Sequence, residues 1–380
     1  MTKRHWAGLV VICGGTAFDG MVSPEREIAT RLARTTPVLY VDPPLSIVRV
    51  RTVAGPIARL RILDDNLAHY APLVQPAMNR RGLVRVTDQL VRLQLRHLAR
   101  KLGGDVQAVV VANQRDFLGA CGERVSVVYA TDDFLAAADL FGARRDVLVQ
   151  QVTRQARRAD LAACVSDEVA TAWHRLGVDT MVLRNGCDME AGASVDTAPP
   201  PDVSLRPPVA GFLGNVSARI DMRLLRAIAD RGISLLIVGP VRDEESRVEI
   251  EELTARPHVR WVGEQPSEAM PSYLAMIDVG LTPYADTAFN RGSFPLKTLE
   301  YLAAGRAVVS TGLPASRWLD TDLISIADGP ADFADAVAAA ASVPRTPELV
   351  AARRAFAAHH SWDARVAELA PRLGISGSRP

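Results

Sequence analysis

Short apolar runs alternate with longer stretches in which apolar residues recur every three or four positions, and this rhythm holds along most of the chain. The runs at Gly8–Cys13, Val38–Val41, Val106–Val111, Ser126–Ala130, Leu161–Val165 and Thr180–Leu183 predict strands. Between them, Pro24–Arg34, Leu83–Leu102 and Val147–Ala159 carry helical spacing. Strands separated by helices form parallel sheets covered on both faces, whose strands read as unbroken apolar runs. The rhythm stops at residues 196–208, where prolines at 199–201 and 207–208 leave no room for regular structure. It then resumes with strands at Val209–Leu213, Ser234–Val238, Val259–Val262, Val279–Leu281, Ala307–Ser310 and Leu323–Ala327. Helices are predicted at Met222–Arg231, Ser246–Ala255, Met270–Met276, Leu296–Ala304, Ala331–Ala341 and Pro347–His359, and Ser361 can cap a last one over Trp362–Leu373. The expected architecture is α/β, with two Rossmann-like α/β/α domains facing a cleft. The first spans residues 1–195, the second spans 209–345, and helices over 346–380 follow. Ligands of such sheets bind at the carboxyl ends of the strands.

Composition narrows the class. A length of 380 residues suits two domains, and 48% hydrophobic with 23% charged residues is ordinary for a globular protein. No stretch supplies the ~20 apolar residues of a membrane span. The first apolar run ends at Gly14-Gly15 without a cleavage site, so it reads as a strand rather than a signal peptide. Cys13, Cys121, Cys164 and Cys187 are scattered, which argues against a metal site or a disulfide framework and fits a reducing cytoplasm. The formal net charge of +1 hides an asymmetry. Residues 1–190 carry 25 basic against 20 acidic side chains, and residues 45–101 alone carry 11 against 3. A basic first half suits an anionic partner such as a membrane surface or a lipid phosphate.

The richest candidate chemistry lies in Arg291–Thr311. A loop containing Ser293, Phe294 and Pro295 opens a helix carrying Lys297 and Glu300, Gly305 ends it, and a buried strand follows. A helix N-terminus offers unpaired N–H groups and partial positive charge. Lys297 adds a full charge, and Glu300 can accept from a ribose diol. Phosphate beside ribose indicates a nucleotide. An ordinary i,i+3 surface pair is the plain alternative.

With these residues the chain resembles the glycosyltransferases of the GT-B fold, in particular the group 1, family 4-like type. Phe294, Leu296, Glu300 and Gly305 fall in register with that family's donor-binding segment, while Gly292 stands where the family has a Glu. Pro295-Leu-Lys297 with Glu300-Tyr-Leu-Ala is similar to a divergent branch of xanthan-type glucuronosyltransferases and teichuronic-acid-type enzymes. Gly14-Gly15 resembles the family's glycine loop, on the acceptor or diphosphate side. Asn185-Gly186-Cys187-Asp188 and the glycines Gly211, Gly214, Gly239 and Gly263 match further pieces. The resemblance implies a terminal helix that crosses back onto the first domain, a nucleotide-sugar held by the second domain, and an acceptor held by the first. Arg219 would lie against the donor diphosphate, with Gly239, Gly263, Ser293, Phe294, Lys297 and Glu300 around it. Asp132 or Asp133, just past Ser126–Ala130, would be the base, although either also suits a helix cap.

The function so implied is transfer of a sugar from a nucleotide diphosphate, UDP or GDP, to a hydroxyl of a saccharide or lipid-linked saccharide. No cofactor and no metal are expected, since no His/Asp/Glu cluster has ligand spacing and Asp320-Thr-Asp322 reads as a turn. Gly14–Gly20 lacks dinucleotide spacing and no phosphate-binding GxxxxGK[ST] occurs. Arg81, Arg85, Arg92, Arg96 and Arg100 predict a basic stripe over residues 80–101 that could meet an anionic membrane, or simply a solvated face. Nucleic acid is not expected as a partner. The expected location is cytoplasmic, with a peripheral position at the inner face of the membrane left open. A nucleotide-sugar epimerase and a non-catalytic binding scaffold are the alternatives.

Overall fold

The first apolar run, β1 (Leu9–Cys13), is wholly buried at the middle of an eight-stranded sheet. The computed structural model describes residues 6–50, 60–78, 80, 82–136, 144–199 and 201–375. After β1 come α1 (Pro24–Leu32), β2 (Val38–Val41), β3 (Leu45–Ser46), α2 (Ile47–Val50), β4 (Leu60–Asp64), β5 (Leu67–Tyr70) and β6 (Leu73–Val74). Then follow α3 (Leu83–Leu102), β7 (Val106–Val111), β8 (Val125–Ala130), α4 (Arg145–Ala156), β9 (Leu161–Cys164), α5 (Asp167–His174) and β10 (Thr180–Val182). The strand order is β10-β9-β8-β7-β1-β2-β5-β4, parallel throughout except for β4, which pairs antiparallel with β5. The β4–β5 ribbon and the small β3–β6 pair were not predicted. Leu60-Arg-Ile-Leu-Asp has no unbroken apolar run because it is a partly exposed edge, where charge is tolerated and blocks further pairing.

A second body begins at Asn185 and runs to Ser361, while Trp362 onward returns to the first. It contains α6 (Met189–Ser194), β11 (Val209–Leu213), α7 (Met222–Asp230), β12 (Ser234–Val238), α8 (Glu244–Thr254), β13 (Val259–Trp261), α9 (Met270–Met276) and β14 (Val279–Thr282). Then come α10 (Ala288–Gly292), α11 (Leu296–Ala303), β15 (Ala307–Ser310), α12 (Pro314–Trp318), β16 (Ile324–Ile326), α13 (Pro330–Ser342) and α14 (Pro347–His359). The sheet is wholly parallel in the order β13-β12-β11-β14-β15-β16. Asp221 caps α7 by accepting from Arg223 N, and the helix buries Leu224, Leu225 and Ile228 in a core shared with Phe212, Ile237 and Phe333. Each such aliphatic side chain contributes roughly 1.5–3 kcal/mol by leaving water. Back in the first body, α15 (Trp362–Leu369) packs on α1.

Helix α11 is held at several points. Tyr301 reaches under the sheet, where its hydroxyl accepts from Leu213 N at 2.8 Å. At the carbonyl end, Arg353 and Arg354 of α14 donate to Gly305 O at 3.1 Å and to Ala303 O at 3.3 Å. Cations there answer the partial negative charge of the helix terminus.

Candidate functional site

Strand order in the second sheet turns back between β11 and β14, so the connections after these neighbours diverge and leave a crevice at their carboxyl ends. Arg219 lies in the connection after β11. An isolated bridge between Ile220 and Tyr284 joins it to the connection after β14, and Ala285 N donates to Arg219 O at 2.9 Å. Thr287 accepts from Asn290 N and so starts the short α10, which sets Asn290 facing Arg219. Arg219 Nε donates to Asn290 Oδ1 at 3.0 Å, while Asn290 Nδ2 donates to Arg219 O at 2.9 Å and to Ala285 O at 2.8 Å. The guanidinium also stacks over Phe289 at 4.6 Å and over Tyr284 at 5.4 Å. Among the described residues, no carboxylate pairs with it. A guanidinium held through Nε and by two aromatic rings, with no carboxylate to neutralise it among the described residues, keeps charge available to an oxyanion.

Lys297 and Glu300 sit on the first turns of α11 and bind each other, Nζ to Oε2 at 2.5 Å. The surface-pair alternative is therefore present in part, but both side chains are half-buried, at 29% and 28% exposure. Burial alone would push the Lys297 ammonium down; the Glu300 carboxylate and its hydrogen bond outweigh that and hold it above its ordinary value. Tyr284 ties this pair to Arg219. Burial raises its hydroxyl, while the charges of Arg219 and Lys297 pull it down and that of Glu300 pushes it up. Pro295 precedes α11 and no side chain caps the helix; Thr298 N turns back to Pro295 O at 3.3 Å.

The remaining expected donor residues shape the backbone. Ser293 is buried and its hydroxyl donates to Phe289 O at 2.9 Å. Phe294 is buried, meets Trp318 edge-on at 6.1 Å, and its carbonyl accepts from Asn185 Nδ2 at 3.2 Å. Gly239 follows β12 with φ of 136°, and a Cβ there would lie 2.0 Å from Gly214 O, so only glycine lets the turns after β11 and β12 touch. Gly263 O accepts from Gly239 N at 2.8 Å, and Trp261 Nε1 donates to Gly239 O at 2.8 Å. Asn290, Tyr284 and Phe289 escaped the sequence reading. The only signal was a Thr-Ala-Phe-Asn run whose Thr could cap a helix.

In the first body, Gly14 N donates to Val41 O, and the amides of Gly15 and Thr16 donate to Glu25 Oε1 at 3.0 and 3.2 Å. The positions a phosphate would take are thus held by a buried carboxylate. Past β8, Asp133 Oδ1 accepts from Leu135 N at 3.1 Å and from Ala136 N at 2.9 Å, which is a capping role. Asp132 is half-buried, and its charge, with that of Glu25, reaches the buried hydroxyl of Tyr129.

The expected basic stripe needs correction. Arg81 lies outside the described residues, and Arg92 is turned inward, donating to Leu118 O at 2.6 Å and to Asp116 O at 3.1 Å. Two bare carbonyls on the loop after β7 outcompete water for this guanidinium. Arg96 also donates through Nε to Ala120 O at 3.2 Å. Among the described residues, no group of three or more His, Cys, Asp or Glu side chains is arranged for a metal, and no helix is long and apolar enough to cross a membrane.

Residues 208–342 match the family model described as Glycosyl transferases group 1. A Bacillus subtilis (strain 168) protein, TuaH, named provisionally as a teichuronic acid biosynthesis glycosyltransferase, is 31% identical over 181 residues. That alignment spans 46% of this chain and 45% of TuaH, less than half of each. Among solved structures, sucrose-phosphate synthase of Thermosynechococcus elongatus superposes with a TM-score of 0.72 at 13% identity, covering 97% of this chain and 98% of its own. HepE of Anabaena, solved with UDP and glucose, gives 0.68 at 13% identity over 97% and 99%. The fold is GT-B.

Proposed function

We infer, from a second body that carries a group 1 glycosyltransferase domain, that this protein moves a sugar from a nucleotide diphosphate to a hydroxyl of a saccharide or lipid-linked saccharide. The observation that carries the reading is Arg219, a guanidinium fixed by Asn290, Phe289 and Tyr284 with no carboxylate partner among the described residues, whose charge meets that of Lys297 at the Tyr284 hydroxyl. Bond cleavage at the sugar leaves charge on the diphosphate, and pre-set cations aimed at that charge lower the barrier. Arg219 and Lys297 supply them, with no metal assigned a part. On binding, Lys297 exchanges its Glu300 contact for phosphate, and Glu300 takes the ribose diol. UDP is the preferred base carrier, since HepE was solved with UDP and glucose. Asp133 Oδ1 caps the turn by accepting from Leu135 N and Ala136 N, and the neighbouring half-buried Asp132 is assigned the acceptor proton. A lipid-linked acceptor puts the protein at the cytoplasmic face of the membrane as a peripheral protein.

A thermal-shift screen over UDP-, GDP- and dTDP-sugars tests the donor, because a ligand of the folded state raises its melting point. Product analysis then tests the reaction. Donor consumed only with acceptor present supports transfer. Isomerised donor without acceptor would mean an epimerase, and binding without turnover a scaffold.

A further inference from the structure

We propose that the outward face of α3 docks the protein onto a bilayer rich in anionic phospholipid. Val86, Leu90 and Leu93 are 46%, 37% and 58% exposed. With exposed His97 they follow the spacing i, i+4, i+7, i+11, which aligns them along one side of the helix. Arg85, Arg96, Arg100 and Lys101, all exposed, flank that ridge. The helix holds a single carboxylate, Asp88, which is buried and 3.3 Å from Arg115, so nothing negative faces outward. Scattered exposed apolar residues are ordinary, but three in line between cations form the pattern of a helix that lies in a membrane interface.

Two further features lie on elements linked to α3. Helix α3 packs on β6, β6 pairs with β3, and β3 runs directly into α2, where Ile47 and Val48 are 47% and 55% exposed. Near the end of α3, Arg96 and Arg100 line an open cleft with Gly104, Gly119, Cys121 and Gly122, whose loop amides at Gly119 and Cys121 are held by the Glu123 carboxylate. An anionic bilayer answers both the apolar ridge and its basic rim. A nucleic acid would leave the ridge in water. Each basic residue close to such a surface adds about fivefold to partitioning. The inference stands on α3 alone and rests on the proposed transfer only for its purpose, access to a lipid-linked acceptor.

The test is co-sedimentation of the full-length protein with vesicles of phosphatidylcholine, or of equal phosphatidylglycerol and phosphatidylcholine. The mixed vesicles should pellet the protein and the neutral ones should not. Leu90→Glu with Leu93→Glu should weaken binding at least tenfold or so, and Arg85→Glu with Arg100→Glu and Lys101→Glu should do the same. Both variants sit on exposed positions, so melting temperature and UDP calorimetry should match the parent. Three results overturn the proposal: parent protein left in solution with the mixed vesicles, variants that bind as the parent does, or a parent dimer that Leu93→Glu dissolves, which would make the ridge a contact between copies. UDP binding lost in a protein that still pellets would count against the donor site alone.

Discussion

Strands β1 and β11 occupy the same place in their sheets, each lying beside the point where strand order turns back and each followed by a glycine turn. The turns are filled with opposite charge. After β1, Glu25 Oε1 takes the amides of Gly15 and Thr16 as well as the Thr16 hydroxyl. Phe18 N donates to Asp42, whose other oxygen lies 2.8 Å from His69 Nε2. Arg61 donates to His69 Nδ1 and reaches Asp19 at 2.6 Å. Every charge in that chain has a partner inside the fold. After β11, the fixed charge is the Arg219 guanidinium, which is oriented by a neutral amide and two rings. One topology thus yields a loop whose charges are partnered within the fold and a loop whose cation has no carboxylate partner among the described residues. The division of labour proposed above rests on that contrast.

The largest effect should fall on chemistry in the first body. Asp132→Asn should lower kcat by about 10²–10⁴-fold while leaving UDP affinity intact. Steady-state kinetics beside calorimetry separates the two, and an equal loss for Asp133→Asn would reverse the choice between them. Next comes donor binding in the second body: Arg219→Ala should weaken UDP by roughly 100-fold, the value of two charge-assisted hydrogen bonds. Affinity within threefold of the parent would erase the contrast between the loops. Glu25→Gln should cost about 1–2 kcal/mol of stability in denaturant titration with UDP affinity unchanged. A loss of UDP matching that of Arg219→Ala would instead make the first loop part of the donor site.

The smallest effect concerns Asp88. Burial holds its carboxyl above the ordinary value, against the pull of Arg115. Its ionised form therefore costs stability near neutral pH, and that cost fades as pH falls through the raised value. Asp88→Asn should melt about 1–3 °C above the parent at pH 7 and lose that lead near pH 4, as read by calorimetric scans. A constant difference across this range would show that the charge is not what matters there.

Legibility in the sequence followed burial. β2, β7, β11, β12 and β15 matched their predicted bounds because their apolar runs are enclosed on both faces. β4 was missed because an edge strand alternates and carries charge. In the second body, the pairing of Lys297 with Glu300 was readable from spacing within one helix. What holds Arg219 was not, because Asn290 is 71 residues away and the pairing exists only once β11 and β14 lie side by side. Arg92 was misread for a related reason. Helical spacing sets it near the boundary of the solvent face, and only the carbonyls of Asp116 and Leu118 decide which way it turns.

The clamp on α11 bears on how the second body should be cut for study. Apart from the Tyr301–Leu213 bond, its supports lie outside residues 208–342: Asn185 bonds Phe294 O, α6 packs on its flank, and Arg353 and Arg354 hold its far end. A fragment trimmed to the matched span would keep Arg219 and Lys297 yet lose these outer brackets around α11. The smallest piece expected to fold with its site intact runs from Asn185 to Ser361.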